Sequence, residues 1–405
     1  YSCLQIGYNS FPELNSKIAR GAAFVFCAAP AGEHRGVFYD LNDASQSADK
    51  EQVFLEKKQR YAHYQVTNDF FRVLPGCPIA YWLSAKVSAA FSGMPSLGTL
   101  ARIGKGLDTG CNERFLRLWT ETSRSSKRWQ PCQKGGPFRK WYGNHTHVID
   151  WSGDGQELRN FPGANLRNAD WYFRSGISWT RVSSSFPAFR LFPEGFVFES
   201  TGPCVFPDSV PVAHVLAFLN SNVANSFLKV VSPTLDFQSG HVSGLPAPRS
   251  ILDAPDLGKY AILLVELARS DWDNFETSWD FRDQPLLRPG LKGATLEASW
   301  RNWETQNTAA IRRMQELETE NNRLFIEAYG LADELKPEVP ENQITLARAE
   351  QRKDMAAFLS YAIGCMMGRY SLDHPGLILA NACDTLREFL AKVGRPQDQL
   401  TFAPD

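Results

Sequence analysis

The stretch IGKGLDTGCNERFLRLWTETSRSSKRWQPCQKGGPFRKWY, residues 103–142, interleaves cations, aromatic residues and glycines more densely than the rest of the chain. It holds nine Lys and Arg residues against three acids, a surplus of six positive charges. Glycine turns at 104–110 and 135–137 let the backbone approach phosphate oxygens closely, because glycine places no side chain in between. The pattern predicts either a surface for an extended polyanion or a solvated basic face over a β-rich core.

The residues around this stretch predict a β-rich module. Between 104 and 206, short runs of aromatic and β-branched residues alternate with Gly, Pro, Asn and Asp at spacings near ten residues, which is typical of several short strands. Residues 211–231 follow with the apolar spacing of one amphipathic helix. Near the start of the chain, Ala22–Ala29 is apolar on both faces, and we interpret it as a buried strand.

The last 155 residues change to helical patterns. From Leu296 to Ala328, one set of positions recurs at alternating steps of four and three, which predicts a long helix with a coiled-coil-like seam. Asn307 and Asn321 fall on that seam, where we expect them to fix the register. The predicted packing partner is a helix within residues 342–369. The fold class is therefore predicted as α+β, a mixed β-rich module followed by a helical C-terminal domain.

Charge is distributed unevenly, although the net charge is only −1. Residues 101–190 contain 15 Lys and Arg against 7 Asp and Glu, whereas residues 251–405 contain 17 against 25. Such asymmetry favours a polyanion as the partner of the basic part. The eight cysteines contain no Cys-x-x-Cys pair, and no run is apolar enough to span a bilayer, so we expect a cytoplasmic protein without a membrane partner. Because the chain begins at Tyr1 rather than Met, we expect a piece of a longer protein.

Other chemistries find little support in the sequence. His145-x-His147 with Cys132 lacks a recognised metal-ligand spacing, so we expect a polar loop and no metal. No Gly-x-Ser-x-Gly elbow or Gly-Lys-Ser/Thr phosphate loop occurs, and we assign no catalytic residue. Several aromatic residues could stack on bases or sugars, although most tryptophans of a small β-rich module belong to its core.

Seven strings together resemble the PglX family, the adenine-specific DNA methyltransferases of BREX phage-defence systems. They are PGCPIAYWLS (75–84), GLDTGCNERFLRLW (106–119), KGGPFRKWYGN (134–144), GISWTRVSSS (176–185), FPEGFVF (192–198), FLNSNVANSFLKVVSPTLDF (218–237) and GCMMGRYSLDHPGL (364–377).

The resemblance implies that this chain is the C-terminal part of such an enzyme. Residues 1–95 would be the end of the methyltransferase domain with linker helices, 96–250 the DNA target recognition domain, and 251–405 a helical spacer. The family uses S-adenosylmethionine to methylate the exocyclic amine of one adenine in a short asymmetric site. The family's Asn-Pro-Pro-Tyr catalytic motif and Gly-rich cofactor loop do not occur in this sequence, so we expect the cofactor site mostly outside this chain and no methyl transfer by this chain alone.

The matching positions and the basic stretch give a set of candidate contacts to double-stranded DNA. Arg, Lys, Asn and Gln side chains contact phosphates or base edges, and aromatic side chains stack. The candidates are Lys105, Thr109, Asn112, Arg114, Arg124, Lys127, Arg128, Lys134, Arg139, Lys140, Trp141, Tyr142, Asn144, Ser183, Ser184, Ser185, Thr234 and Gln238.

Two other classes of function remain open from the sequence. The acidic helical region is compatible with a protein-interaction scaffold that docks another BREX component or a phage-encoded, DNA-mimicking inhibitor. The tryptophans are also compatible with a carbohydrate-binding module. The DNA-recognition hypothesis requires the cations of the basic stretch to lie on one continuous surface.

Overall fold

The computed structural model describes residues 2–7, 10, 21–26, 28, 34–45, 47–123, 126–183, 186–232 and 234–404. The chain divides into two compact units, residues 1–94 and 95–405. The elements of the first unit are β1 (Ser2–Gly7), β2 (Gly21–Val25), β3 (Arg35–Asp40), α1 (Lys50–Gln59), β4 (Tyr64–Thr67), α2 (Asn68–Arg72) and α3 (Ala85–Gly93).

In the first unit, the described strands form a mixed sheet in the order β2-β1-β3-β4. β1 runs parallel to β3 and antiparallel to β2. Phe38, Phe71 and Tyr81 form its buried core, and the Tyr81 hydroxyl donates to Gln5 Oε1 at 2.6 Å. The predicted buried strand at 22–29 is wrong in its burial. β2 lies at the edge of the sheet, and the Phe24 and Val25 side chains are 61% and 64% exposed.

The strands of the second unit precede most of its helices. They are β5 (Ala101–Gly104), β6 (Leu116–Leu118), β7 (Trp129–Gln133), β8 (Trp141–Tyr142), β9 (His147–Asp150), β10 (Gly176–Trp179), β11 (Phe189–Phe192), β12 (Val197–Phe198) and β13 (Cys204–Pro207). The helices are α4 (Asn112–Phe115), α5 (Ser152–Arg159), α6 (Val212–Leu219), α7 (Asn222–Val231), α8 (Ser239–Ser243), α9 (Arg249–Leu252), α10 (Pro255–Trp272), α11 (Leu296–Ala328), α12 (Gln351–Met366) and α13 (Leu386–Val393).

Two sheets of described strands build the β-rich part, in the orders β5-β13-β10-β11-β8 and β12-β7-β9-β6. Their apolar side chains share one core, in which Phe115, Ile149, Phe198 and Cys204 are buried together. Burial of such aromatic and aliphatic side chains stabilises each by about 1.5–3 kcal/mol. The prediction of an α+β fold is confirmed, and the short strands with Gly-rich turns account for it.

The helices on this β-rich part differ from the prediction at 211–231. That stretch is two helices, because Asn220 ends α6 and the Ser221 hydroxyl accepts the backbone N–H of Ala224 at the start of α7. A serine N-cap of this kind restarts a helix after a break in direction. The apolar face is shared by both helices, which is why the sequence pattern looked continuous.

The long helix was predicted with the correct bounds. α11 begins after Thr295, whose hydroxyl caps Ala298 N at 3.1 Å, and Gly330 with φ +66° follows its end. Its packing differs from the prediction in part. α11 lies mainly against α10 and α7, and residues 344–350 are not helical. The predicted partner helix is present as α12, and Trp300 Nε1 on α11 donates to Asp354 Oδ2 on α12 at 3.0 Å. The two seam asparagines bind backbone instead of each other. Asn307 Nδ2 donates to Ala347 O and Asn321 Nδ2 donates to Ala217 O.

Candidate nucleic-acid interface

Six loop segments of the second unit are joined into one surface by hydrogen bonds between them. Ser183 N donates to Leu235 O at 3.0 Å, and Arg181 N donates to Thr201 O at 3.1 Å. Thr201 Oγ1 donates to Lys134 O at 2.7 Å. We call this the loop surface, defined by residues 105–112, 134–138, 165–168, 180–183, 199–201 and 234–238.

Residues 105–112 join the loop surface through residues 199–201, and residues 165–168 join it through residues 105–112. Ser200 N donates to Leu107 O at 2.9 Å, and Asp108 N donates to Asn165 O at 2.9 Å. Four of these joining bonds are made by main-chain groups at both ends. The loops are therefore held by a hydrogen-bonded frame rather than by packing alone.

The loop surface carries four cations, each near a carboxylate or a backbone acceptor. Arg181 Nε and Asp236 Oδ1 are 2.6 Å apart, and Arg167 pairs with Asp108. The cations of the surface are Lys105, Lys134, Arg167 and Arg181, and its acids are Asp108, Glu199 and Asp236. The charge surplus of the loop surface is therefore one, much smaller than the sequence surplus of residues 103–142.

The two half-buried carboxylates of this surface remain ionised near neutral pH. Burial raises the pKa of Asp108, but hydrogen bonds from Ser200 and Arg167 outweigh it and leave the pKa below its usual range. The hydrogen bond from Arg181 is the main cause of the lowered pKa of Asp236. Charged pairs of this kind can rearrange when a phosphate competes for the guanidinium, because Arg binds both anions bidentately.

Some of the sequence candidates come together on this surface. Lys105 and Asn112 lie on its first segment. The contact role predicted for Thr109 is corrected, because its side chain is buried and its hydroxyl donates to Asn112 Oδ1 at 2.6 Å. Lys134, Ser183, Thr234 and Gln238 are brought together by the bonds described above, and Thr234 and Gln238 are exposed. Arg114 lies beside this set, over the Phe161 ring and 3.6 Å from Glu157. Arg124, Ser184 and Ser185 lie outside the described residues.

Lys127 and Arg128 do not lie on the loop surface. They precede β7, whereas Lys134 follows it, so the length of the strand separates them from the loop surface. Arg128 Nη2 and the buried Asp150 Oδ2 are 2.6 Å apart. Burial raises the pKa of Asp150, but hydrogen bonds from Arg128 and Ser152 lower it below its usual range overall. Arg128 therefore has a structural carboxylate partner at the far end of the sheet.

The residues 139–144, which the sequence suggested as DNA contacts, face inward. Arg139 Nη2 lies 2.7 Å from Asp271 Oδ2 on α10. Lys140 Nζ and Trp141 Nε1 both donate to Glu318 on α11, at 2.6 and 2.7 Å. The side chains of this group, Lys140, Trp141, Tyr142 and Asn144, are each at most 5% exposed. A contact role for Arg139 to Asn144 is therefore corrected, because these polar groups join the strands to the acidic helices.

The cations of residues 103–142 thus do not lie on one continuous surface, so the DNA-recognition hypothesis fails in the form that required this, and only the smaller loop surface still supports it. The sequence also missed two members of the loop surface, Arg167 and Arg181, which fall after the basic stretch. Little in the sequence indicates that Arg167 and Arg181 belong to this surface, since each is a single cation next to a turn residue or a strand end. The carbohydrate alternative is weakened as well, because Trp141 and Trp179 are fully buried and Trp151 is 6% exposed.

The predicted loop around His145 is present at residues 143–146, between β8 and β9, but His145 in it is not exposed to solvent. His145 is buried between the Tyr142 and Phe196 rings, with ring centroids 4.8 and 5.0 Å away, and His147 begins β9 opposite Cys132. Among the described residues, no group of three or more His, Cys, Asp or Glu side chains is placed to hold a metal ion. None of the described helices combines the length and apolarity that crossing a membrane requires.

Burial, and then Arg190, Arg139 and Arg269, lower the pKa of His145 to about 3. The unfolded chain has an ordinary histidine pKa near ~6.5, so only the unfolded state takes up this proton between pH 6.5 and 3. The contribution of neutral His145 to the free energy of unfolding is complete above pH 6.5 and decreases as the pH falls below it. We expect the loss between pH 7 and pH 5 to be about 2 kcal/mol.

His145→Phe should remove that part of the pH dependence, since a phenyl ring fits between the same two rings. The measurement is urea unfolding at pH 5 and 7, followed by tryptophan fluorescence, because ten of the eleven tryptophans lie in residues 95–405. His34→Gln, at an exposed position of the first unit, is the matched control and should keep the wild-type slope. An unchanged slope in His145→Phe would contradict the prediction.

Two comparisons with known proteins bear on the class of this protein. The chain is 34% identical over 404 residues to the adenine-specific methyltransferase PglX of Lacticaseibacillus casei (strain Zhang), covering 93% of this chain and 33% of the relative. It is 32% identical over 403 residues to the adenine-specific methyltransferase BrxX of Escherichia coli O9:H4 (strain HS), covering 93% of this chain and 32% of that relative. No family model matches the chain.

The α+β fold and these similarities define a homologue of adenine-specific methyltransferases. The chain belongs to the PglX family, as the seven strings of the sequence indicated. It spans about a third of the length of the curated relatives it matches.

Proposed function

We propose that this chain is the DNA-recognition part of a site-specific adenine DNA methyltransferase in a BREX-type defence system. The observation that carries the proposal is the loop surface, where Lys105, Lys134, Arg167 and Arg181 accompany exposed amide and hydroxyl side chains on hydrogen-bonded loops. Cations that meet phosphates supply affinity, and side chains that meet base edges supply specificity. Duplex DNA displays both groups together.

The methyl transfer itself belongs to the parent protein in this proposal. S-adenosylmethionine would supply the methyl group there, and the adenine would leave the base stack to reach it. The Asn-Pro-Pro-Tyr string and the Gly-rich cofactor loop do not occur in the 405 residues, so we assign no step of the transfer to them. Other BREX components or a DNA-mimicking inhibitor are further partners in the same proposal, as is a cytoplasmic location.

A protein-interaction role is the second candidate. It is favoured by the outward side of α12 and the residue that follows it, where Leu359, Ile363 and Met367 are 61%, 55% and 72% exposed. Exposed apolar patches on a folded domain commonly mark contact surfaces. This surface lies on the helical part and shares no residue with the segments that define the loop surface, so both roles can coexist in one chain.

The decisive experiment for DNA recognition maps methylated adenines in cells that express the full-length parent protein. Thr234→Ala with Gln238→Ala should relax or change the methylated sequence at one position, because a good base-edge reader contributes about 1–3 kcal/mol of discrimination. The matched control is Ile262→Ser, at a 53% exposed position of α10, which should leave the methylated sequence unchanged. An unaltered methylated sequence in the loop variant would count against the assignment of this surface.

A further inference from the structure

The sheet of the first unit has an edge strand, β2, that is apolar and exposed on both faces. β2 pairs with β1 along one edge, and no described strand pairs with its other edge. Phe24 and Val25 in β2 and Phe26 directly after it are 61%, 64% and 66% exposed. Because successive side chains of a strand point to opposite faces, both faces of the sheet are open at this position.

The register of the strands shows where one face loses its cover. Phe38, Cys3 and Phe24 lie side by side across β3, β1 and β2. At β3 this row is covered, since Phe38 is 2% exposed and the Phe71 and Tyr81 rings lie 5.6 and 5.0 Å from its ring. Cys3 in the middle of the row is partly buried, and Phe24 at its end is exposed.

The opposite face loses its cover at the same strand. Tyr39, Leu4 and Ala23 form a row across β3, β1 and β2. α1 covers this row at β3, where the Phe54 ring lies 5.1 Å from the Tyr39 ring, and Ala23 at the β2 end is exposed. The described residues therefore cover both faces of the sheet at β3 and leave both faces bare at β2.

β2 also lacks the features that protect an edge strand. Natural edge strands commonly carry charged side chains or proline, which hinder pairing with another strand. Residues 21–26, GAAFVF, contain neither. Continuous apolar runs of this kind are typical of strands inside a sheet that is covered on both faces. The composition of β2 thus suits an interior position, which the described residues do not provide.

The occupant that suits this edge is another part of the same polypeptide. The chain matches only 33% and 32% of the length of its two curated relatives, so relatives of this size have ample polypeptide outside the matched part. A free edge offers unpaired backbone groups to an extended segment, and alternate side chains of β2 offer apolar contacts above and below it.

We propose that, in the parent protein, a strand from outside the 405 residues pairs with the free edge of β2, and apolar side chains of the same polypeptide cover both of its faces. β2 is then an interior strand of a larger sheet. The inference does not depend on DNA recognition and requires only a parent protein longer than this chain.

The first test is amide hydrogen exchange, measured by mass spectrometry, in the full-length parent protein without DNA. An edge strand in an antiparallel pair protects about half of its amides, whereas an interior strand protects nearly all of them. We expect protection of nearly all amides in a peptide that covers residues 21–25. Protection of only about half of them would overturn the inference, because β2 would then be an edge strand in the parent as well.

The second test identifies the occupant by photo-crosslinking in the same full-length protein, with p-benzoylphenylalanine in place of Phe24. Crosslinked peptides should come from outside the 405 residues, and their yield should not change on dilution because the contact is intramolecular. The matched control carries p-benzoylphenylalanine in place of Leu55, a 42% exposed residue of α1, and should give a much lower yield.

Two results of the crosslinking would overturn the inference. Crosslinks confined to the 405 residues would mean that this chain covers its own edge. A yield that falls on dilution would mean that a second molecule occupies the edge. Both tests are made without DNA, so their failure would leave the proposed DNA recognition unaffected.

Discussion

Glu318→Ala should lower the free energy of unfolding of the second unit by about 3–5 kcal/mol. Glu318 is 2% exposed and accepts hydrogen bonds from Lys140 Nζ and Trp141 Nε1. Its removal leaves the ammonium of Lys140, which is 4% exposed, without a counter-charge in the interior. An unpaired buried charge is far less favourable than a buried pair, so the effect should exceed that of a surface ion pair.

Glu316 on the same helix provides the matched control. Its ion pair with Arg313 is exposed, with side chains 65% and 56% accessible, so Glu316→Ala should change stability by less than ~1 kcal/mol. Lys140→Met with Glu318→Leu removes both charges together and should recover much of the loss. Urea unfolding followed by tryptophan fluorescence measures all three, and equal midpoints for Glu318→Ala and Glu316→Ala would refute the assignment.

Removing three cations of the loop surface should weaken binding of duplex DNA roughly 100-fold at ~0.1 M salt. The variant combines Lys105→Ala, Lys134→Ala and Arg167→Ala. Each phosphate contact adds ~0.9 to the slope of log K against log salt concentration, so the slope should fall by about 2.7. The expected loss of affinity is smaller than three full phosphate contacts would give, because Lys134 and Arg167 also pair with carboxylates.

A control variant that loses the same charge away from the loop surface distinguishes the effect of local phosphate contacts from the effect of net charge. Lys127→Ala, Arg312→Ala and Lys353→Ala remove three exposed cations from other parts of the second unit. This control should keep most of the wild-type affinity and salt slope, measured by filter binding across a salt series. Equal loss in both triple variants would mean that the loop surface is not where the phosphates bind.

The sequence predicted the helices and strands better than it predicted which of their side chains are buried and what they contact. The bounds of α11 followed from apolar periodicity, which is a local signal. The burial of Lys140 and Trp141 did not, because it depends on Glu318, which lies 178 and 177 residues away along the chain. A count of cations in residues 103–142 cannot distinguish a cation that meets solvent from one that meets a distant acid.

For the candidate site, too, the sequence predicted individual residues but not which of them lie close together. Lys134, Thr234 and Gln238 were predicted singly, but their proximity depends on which strands become neighbours. Arg181 was missed because only the pairing of 181–183 with 235–237 makes it part of the surface. The strand at 22–29 failed for the related reason that an apolar pattern predicts extended backbone but does not tell what covers it.

The loops of the second unit are joined by main-chain hydrogen bonds, so their arrangement does not depend on which side chains they carry. Because Arg181 N, Ser183 N, Ser200 N and Asp108 N make their bonds whatever side chains the residues carry, exchange of the outward groups leaves the supporting geometry intact. Substitutions there can accumulate with small thermodynamic penalties, so under the proposed DNA-recognition function a lineage would exchange one target sequence for another while the scaffold beneath remains the same.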